Sequence, residues 1–167
     1  MIDHPAILRA QYHATLDMLK QAIEKCPPEL WNDSRDRNKF WQLAYHVLFY
    51  THLYLHTSGE EFTPWEHHHP DYEQLGAKPW PPYELPKIGE PYTPEEILTF
   101  LEVCWAFVTQ QVSALDLEAT SGFSWLPYNK LELQIYNIRH LQLHTGELME
   151  RLGSRVKLDV EWRGSIS

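Results

Sequence analysis

Apolar residues recur at helical spacing in four stretches of the chain. The first opens at Asp3, a good N-cap, with Pro5 in the first turn where its missing donor does no harm. Ile7, Leu8, Leu16, Leu19 and Ile23 mark one face until Cys26-Pro27-Pro28 stops it. The second stretch runs from near Asn38 to about Thr57 and ends at Ser58-Gly59; apolar almost all round, it predicts a helix contacted on several sides. The third starts at Thr93, which can cap, followed by Pro94 at the first helical position and Glu96 to complete a capping box. It continues through Ile97, Leu101, Cys104, Trp105 and Val108 to about Ser113. The fourth runs from about Leu131 to Leu152, with Leu131, Ile135, Ile138, Leu141, Met149 and Leu152 as its stripe and Gly153 as its stop. Beyond Gly153, VKLDVEW alternates apolar and polar, which predicts an extended tail over 153–167 packing on the helices.

Between the second and third helices lies a long segment, residues 58–92, rich in Pro and aromatics (TPWEHHHPDY, then KPWPPYELPKIGEPY). A loop of this length inside one domain is a lid, a binding loop or a crossover. A four-helix bundle with one long connection needs such a segment to return the chain to the other end. The pattern therefore predicts an all-α fold, a four-helix bundle with a long crossover between its second and third helices, with residues 1–167 as a single domain. Trp65, Trp80 and Tyr83 in the crossover are candidates to cover a cleft.

Composition sharpens this in three places. At 167 residues with seven Trp and nine Tyr, the chain has rings enough both to fill a core and to line a small-molecule cleft. The formal net charge is −9, with no basic cluster, which argues against nucleic-acid binding. Cys26 and Cys104 are far apart and in no metal or redox spacing, so a reduced, cytoplasmic setting is expected. The N-terminal residues lack the basic and apolar regions of a signal peptide. Residues 40–59 carry no Asp, Glu, Lys or Arg, yet His46, His52, His56 and Gln42 make a bilayer expensive, so no membrane span is expected.

The candidate chemistry lies in the histidines. His140 and His144 are four residues apart on the fourth helix, so they project from one face about 6 Å apart along the axis. Two imidazoles at that spacing can converge on one ion, or stand half-exposed with no ligand. His46, among Ala44, Tyr45, Val47 and Leu48, lies about as deep in the second helix as His140 does in the fourth, so parallel helices would set these two together and antiparallel ones would set His46 beside His144. A buried imidazole there needs a polar neighbour or a metal. His52 and His56 repeat the spacing near a helix end, where surface exposure is the simpler expectation. His67, His68 and His69 sit in the crossover without a scaffold, which grants them an adventitious site at most. His4 and His13 read as structural or solvated.

FWQLAYHVLFYTHLYL, followed far downstream by RHLQLHTGELMERLG, resembles the DinB-like (DNA-damage-inducible) superfamily of metal-binding four-helix bundles. That family carries a W-x-L-x-x-H pattern on its second helix and H-x-x-x-H-x-G-Q on its last. The matching positions here are Trp41, Leu43 and His46, then His140, His144 and Gly146. The resemblance implies a divalent metal, zinc or nickel, held by His46, His140 and His144. It implies a metal-dependent enzyme acting on a small molecule, either a hydrolase or a thiol-dependent S-transferase using a low-molecular-weight thiol. Two positions depart from the pattern. Glu147 replaces the family glutamine and faces near the histidines, where it can accept a ring N–H or remain a solvated carboxylate. Thr145 stands where a basic residue often follows the second histidine, which weakens any site for an anionic cosubstrate. Three neutral imidazoles leave coordination positions open, the arrangement of a catalytic rather than a structural site. The alternative is a non-catalytic bundle that forms a homodimer through its aromatic surface and keeps a vestigial site.

Overall fold

The computed structural model describes residues 2–167. It contains α1 (His4–Lys25), a single-turn α2 (Pro28–Trp31), α3 (Phe40–Tyr54), α4 (Pro94–Gln111) and α5 (Lys130–Val156). The caps read from the sequence close as expected. Asp3 Oδ1 accepts from Ala6 N at 3.0 Å. Thr93 Oγ1 accepts from Glu96 N at 3.2 Å while Glu96 Oε2 accepts from Thr93 N at 2.8 Å. Each satisfies an amide that the first turn leaves without an intrahelical partner.

Two boundaries differ from expectation. α3 stops at Tyr54, short of Thr57. α5 runs through Gly153 to Val156 and ends at Lys157, which adopts a left-handed conformation (φ 59°) and donates its N–H to Leu152 O. Glycine inside a helix costs only about 1 kcal/mol relative to alanine, less than the turn beyond it returns by packing Val156 against the core and pairing Arg155 with Asp36. The tail therefore starts at Lys157 rather than at residue 153. It forms no strand and lies along α1, where Glu161 N donates to Gln21 Oε1 at 2.9 Å and Ile166 N donates to Ala10 O at 3.2 Å.

The four long helices form a ring in which α1 and α3 each pack against both α4 and α5. Side-chain pairings give the directions. Gln134 reaches Tyr54 O, Asn137 reaches Thr51 O and Arg151 reaches Asn38 O, so α3 and α5 run antiparallel. Arg9 meets Ser113, His13 meets Thr109 and Lys20 meets Glu102, so α1 and α4 are antiparallel too. Tyr12 pairs with Gln134 and Thr15 with Gln142, which makes α1 parallel to α5. It follows that α3 and α4 are parallel neighbours, and the chain between them must travel the length of the bundle. Residues 55–93 make that return. Their backbone is pinned to the α3–α4 face by buried Trp65, Tyr72 and Tyr92. Trp65 stacks on Phe100 with centroids 4.8 Å apart. The Tyr92 hydroxyl donates to His67 O and accepts from His69 N.

The second connection, between α4 and α5, is fastened by one cation. Lys130, 3% exposed, donates to His56 O, Thr57 O and Ser121 O, and so occupies carbonyls that follow α3. Gly122 beside it has φ 81°, and a Cβ there would fall 2.0 Å from Thr57 O, so only glycine fits this approach. Among the described residues, no helix is long and apolar enough to cross a membrane.

Candidate metal centre

The antiparallel register of α3 and α5 that sets Asn137 beside Thr51 also sets His140 opposite His46, and one further turn of α5 brings in His144. The three ring centroids lie 4.9, 5.1 and 5.0 Å apart. One ring nitrogen from each residue lies within 4.8 Å of the other two. Among the described residues this is the only group of three or more His, Cys, Asp or Glu so gathered.

The protonation of the rings follows from their partners. His46 Nδ1 lies 2.6 Å from Glu73 O, and because a carbonyl only accepts, Nδ1 carries the proton. Burial pushes the His46 imidazole down to about 3, so it is neutral at physiological pH and its Nε2 lone pair is free. That Nε2 points at His140 Nε2, 3.0 Å away. His140 is likewise pushed down to about 4 by burial. His144 Nδ1 donates to Glu147 Oε2 at 2.9 Å, which turns its Nε2 away from the carboxylate. Glu147 makes this contact while its side chain stays 44% exposed.

The donor set suits a divalent ion of borderline softness, since neutral imidazole is its ordinary ligand. Two nitrogens at tetrahedral positions around zinc, each about 2.05 Å from it, are separated by about 3.3 Å. The 3.0 Å approach of His46 and His140 is near that value, and His140 Nδ1, buried without a partner, can hold the proton that such ligation requires there.

His46 and His140 form part of the wall of a cleft of about 850 Å³. Tyr50, Tyr54 and Tyr136 continue that wall, with the Tyr54 centroid 5.7 Å from that of Tyr50 and 5.9 Å from that of Tyr136. Trp80 from the crossover and Trp125 from the α4–α5 connection stand at the rim, 52% and 59% exposed. Of the three crossover rings expected to cover a cleft, only Trp80 does so. Trp65 packs into the core, and Tyr83 is exposed and outside the lining. Trp125, Glu73 and Gln74 also face the cleft, and nothing in the sequence pattern points to them. No periodicity marks residues in irregular segments, so their placement is a product of the folded connections alone.

The remaining histidines stand apart. His52 is buried rather than at the surface, with its ring centroid 4.8 Å from that of Phe107 and 5.7 Å from that of Phe62. His56 packs beside it at 4.8 Å, and neither joins the triad. His68 does have a fixed geometry, through a 2.6 Å contact between its Nδ1 and the Tyr45 hydroxyl, but it too lies outside the cluster. His13 stacks on Trp105 at 4.3 Å, a structural role, while His4 is exposed. Cys26 and Cys104 are both free; burial raises both thiols, that of Cys26 to about 12, so neither is a ready nucleophile.

Neither a curated protein nor a solved structure matches the chain. The model of the DinB superfamily matches residues 11–148, a span that holds all three clustered histidines and Glu147. The chain belongs to the DinB superfamily.

Proposed function

We propose that His46, His140 and His144 bind one divalent ion, zinc or nickel, and that the protein is a metal-dependent enzyme acting on a small molecule in the adjoining cleft. The observation that carries this reading is the convergence of three imidazole nitrogens within 4.8 Å, with two of the rings, His46 and His140, in the wall of an aromatic cleft. When bound, such an ion polarises a substrate oxygen and lowers the pKa of water or of a thiol at its open positions. The protein's own residues prepare the site. Glu73 O and Glu147 fix two of the three rings in the orientation that presents Nε2. The aromatic wall offers an apolar substrate body a face to pack against. Hydrolysis and thiol-dependent S-transfer both fit this chemistry, the second with a low-molecular-weight thiol as partner. The two free cysteines support a reduced, cytoplasmic setting.

Metal analysis of protein purified without a histidine tag tests the proposal. About one equivalent is expected, lost in His46→Ala and in His144→Ala, with the heat-induced unfolding of the wild type shifted down by chelator. A folded protein that holds no metal and ignores chelator overturns it. One observation favours a second reading, a non-catalytic homodimer, through an aliphatic surface rather than the aromatic one expected: Ile7, Ile135 and Leu143, between 52% and 60% exposed, flank an apolar groove between α1 and α5. Sedimentation of the wild type and of Leu143→Glu tests the dimer, and the metal analysis decides between the two readings.

A further inference from the structure

The cleft beside the three histidines has a direction and no charge. Tyr50 lies one turn beyond His46 on α3, and Tyr136 one turn before His140 on α5. Because these helices are antiparallel, both rings fall on the same side of the histidines. Tyr54, a turn further along α3, carries the wall away from them. The His46 ring meets that of Tyr50 at 4.8 Å and the His140 ring stacks on Tyr136 at 6.4 Å, so the wall begins at the histidines themselves. No lysine or arginine lines the cleft. Its one acidic residue, Glu73, has no oxygen both open and unpaired: Oε1 accepts from Gln74 Nε2 at 3.0 Å, and Oε2 is buried out of a ligand's reach. Phenols are neutral at physiological pH. A carboxylate or an ammonium entering here sheds water without gaining an ionic partner. That loss exceeds the roughly 0.5–2 kcal/mol that an aromatic face returns to a cation. An uncharged ring suffers no such loss, and gains about 0.5–1.5 kcal/mol per aromatic pair beyond the area it buries.

We propose that the cleft takes an uncharged aromatic molecule, its ring against Tyr50, Tyr54 and Tyr136 and a neutral oxygen-bearing group toward the histidines. This rests on the metal reading for which end of the substrate reacts, but the wall that selects the ring is built from residues that are not metal ligands. The tyrosine hydroxyls and the Gln74 amide are the polar groups placed to orient an alcohol, amide or ester. Trp80 and Trp125, at the rim, are the rings that cover the aromatic body once it has entered.

Calorimetric titration with four probes of similar size tests this: neutral indole-3-acetamide, anionic indole-3-acetate, cationic tryptamine and the neutral, non-aromatic cyclohexylacetamide. Each is titrated into protein as purified and after chelator treatment, which removes direct ligation of the carboxylate by metal. Indole-3-acetamide is expected to bind at least about fivefold more tightly than tryptamine in both preparations, and than indole-3-acetate in the chelator-treated one. It is also expected to bind at least about twofold more tightly than cyclohexylacetamide. The comparisons with tryptamine and cyclohexylacetamide stand on the untreated protein alone should chelation unfold the chain. Two substitutions at the rim locate the site: Trp80→Ala is expected to weaken indole-3-acetamide, and Pro79→Lys to shift the preference toward indole-3-acetate by at least about threefold. Tighter binding of tryptamine, or of indole-3-acetate to chelator-treated protein, overturns the proposal. So do equal binding of all four probes, binding that neither substitution changes, and no binding by any probe. Failure of the metal reading shows separately, as an absence of metal from the same untreated preparations.

Discussion

Gly122 and Gly153 should respond to alanine with opposite signs, and the structure supplies the magnitudes. At Gly122 the backbone is left-handed, which costs an alanine about 1–2 kcal/mol. The added Cβ would also lie 2.0 Å from Thr57 O, so the two segments must part by about 1 Å. That movement stretches the bond from Gly59 N to Gly122 O, worth about 1 kcal/mol, and the charged contact of Lys130 with Thr57 O, worth about 1.5–3 kcal/mol. Together these predict a loss of about 3.5–6 kcal/mol, or roughly 7–24 °C of melting temperature for a chain of this size. Gly153 lies inside α5, and a methyl group added there would meet no other atom within 4 Å, so alanine removes unfolded-state freedom without a clash. It should stabilise by about 0.5–1 kcal/mol and raise the melting temperature by roughly 1–4 °C. Thermal unfolding followed by circular dichroism measures both. A Gly122→Ala protein melting within about 2 °C of the wild type, or a Gly153→Ala protein melting below it, would refute the reasoning.

Three further outcomes are expected. Burial lowers the His52 imidazole from 6.5 to about 4, so between those pH values the unfolded chain binds the proton and the folded one does not; stability from this residue is full above pH 6.5 and falls as the pH drops, by about 3 kcal/mol in all. Because His52 Nδ1 has no partner, His52→Phe should flatten the dependence of melting temperature on pH between 4 and 6.5, and an unchanged slope counts against this account. Arg155 donates to both oxygens of Asp36, at 2.8 and 2.6 Å, tying α5 to the segment before α3; Arg155→Ala should cost about 1–2 kcal/mol in urea unfolding, with no change in metal content. Replacing His52 and His56 together should likewise leave metal content unaltered, and a fall in it would move the site away from His46.

The parts of the fold that can be read from the chain are those governed by local chemistry. Asp3 and Thr93 announce their helices because a cap is a contact between residues three apart. The apolar girdle of α3 announces a helix buried on several sides, and α3 packs against both α4 and α5. Gly153 reads as a helix end but is not one, because a single glycine weakens a helix less than the packing of the turn beyond it strengthens it. His52 reads as a surface residue, yet the crossover covers that surface with Phe62. His46 meets His140 in an antiparallel pair of helices because both lie well inside them, where reversing a helix changes depth least. Glu73 and Trp125 have no local signature at all, since they reach the cleft only through the course of two irregular segments.

The bond from the His46 ring to Glu73 O has a consequence for the order of assembly. His46 belongs to α3, but the group that sets its tautomer arrives on a segment nearly thirty residues later in the chain. A nascent chain that has formed α3 alone holds an unoriented imidazole, and α5, with the other two rings, is made last. The centre thus completes itself only once α3, the crossover and α5 have all been made and packed together.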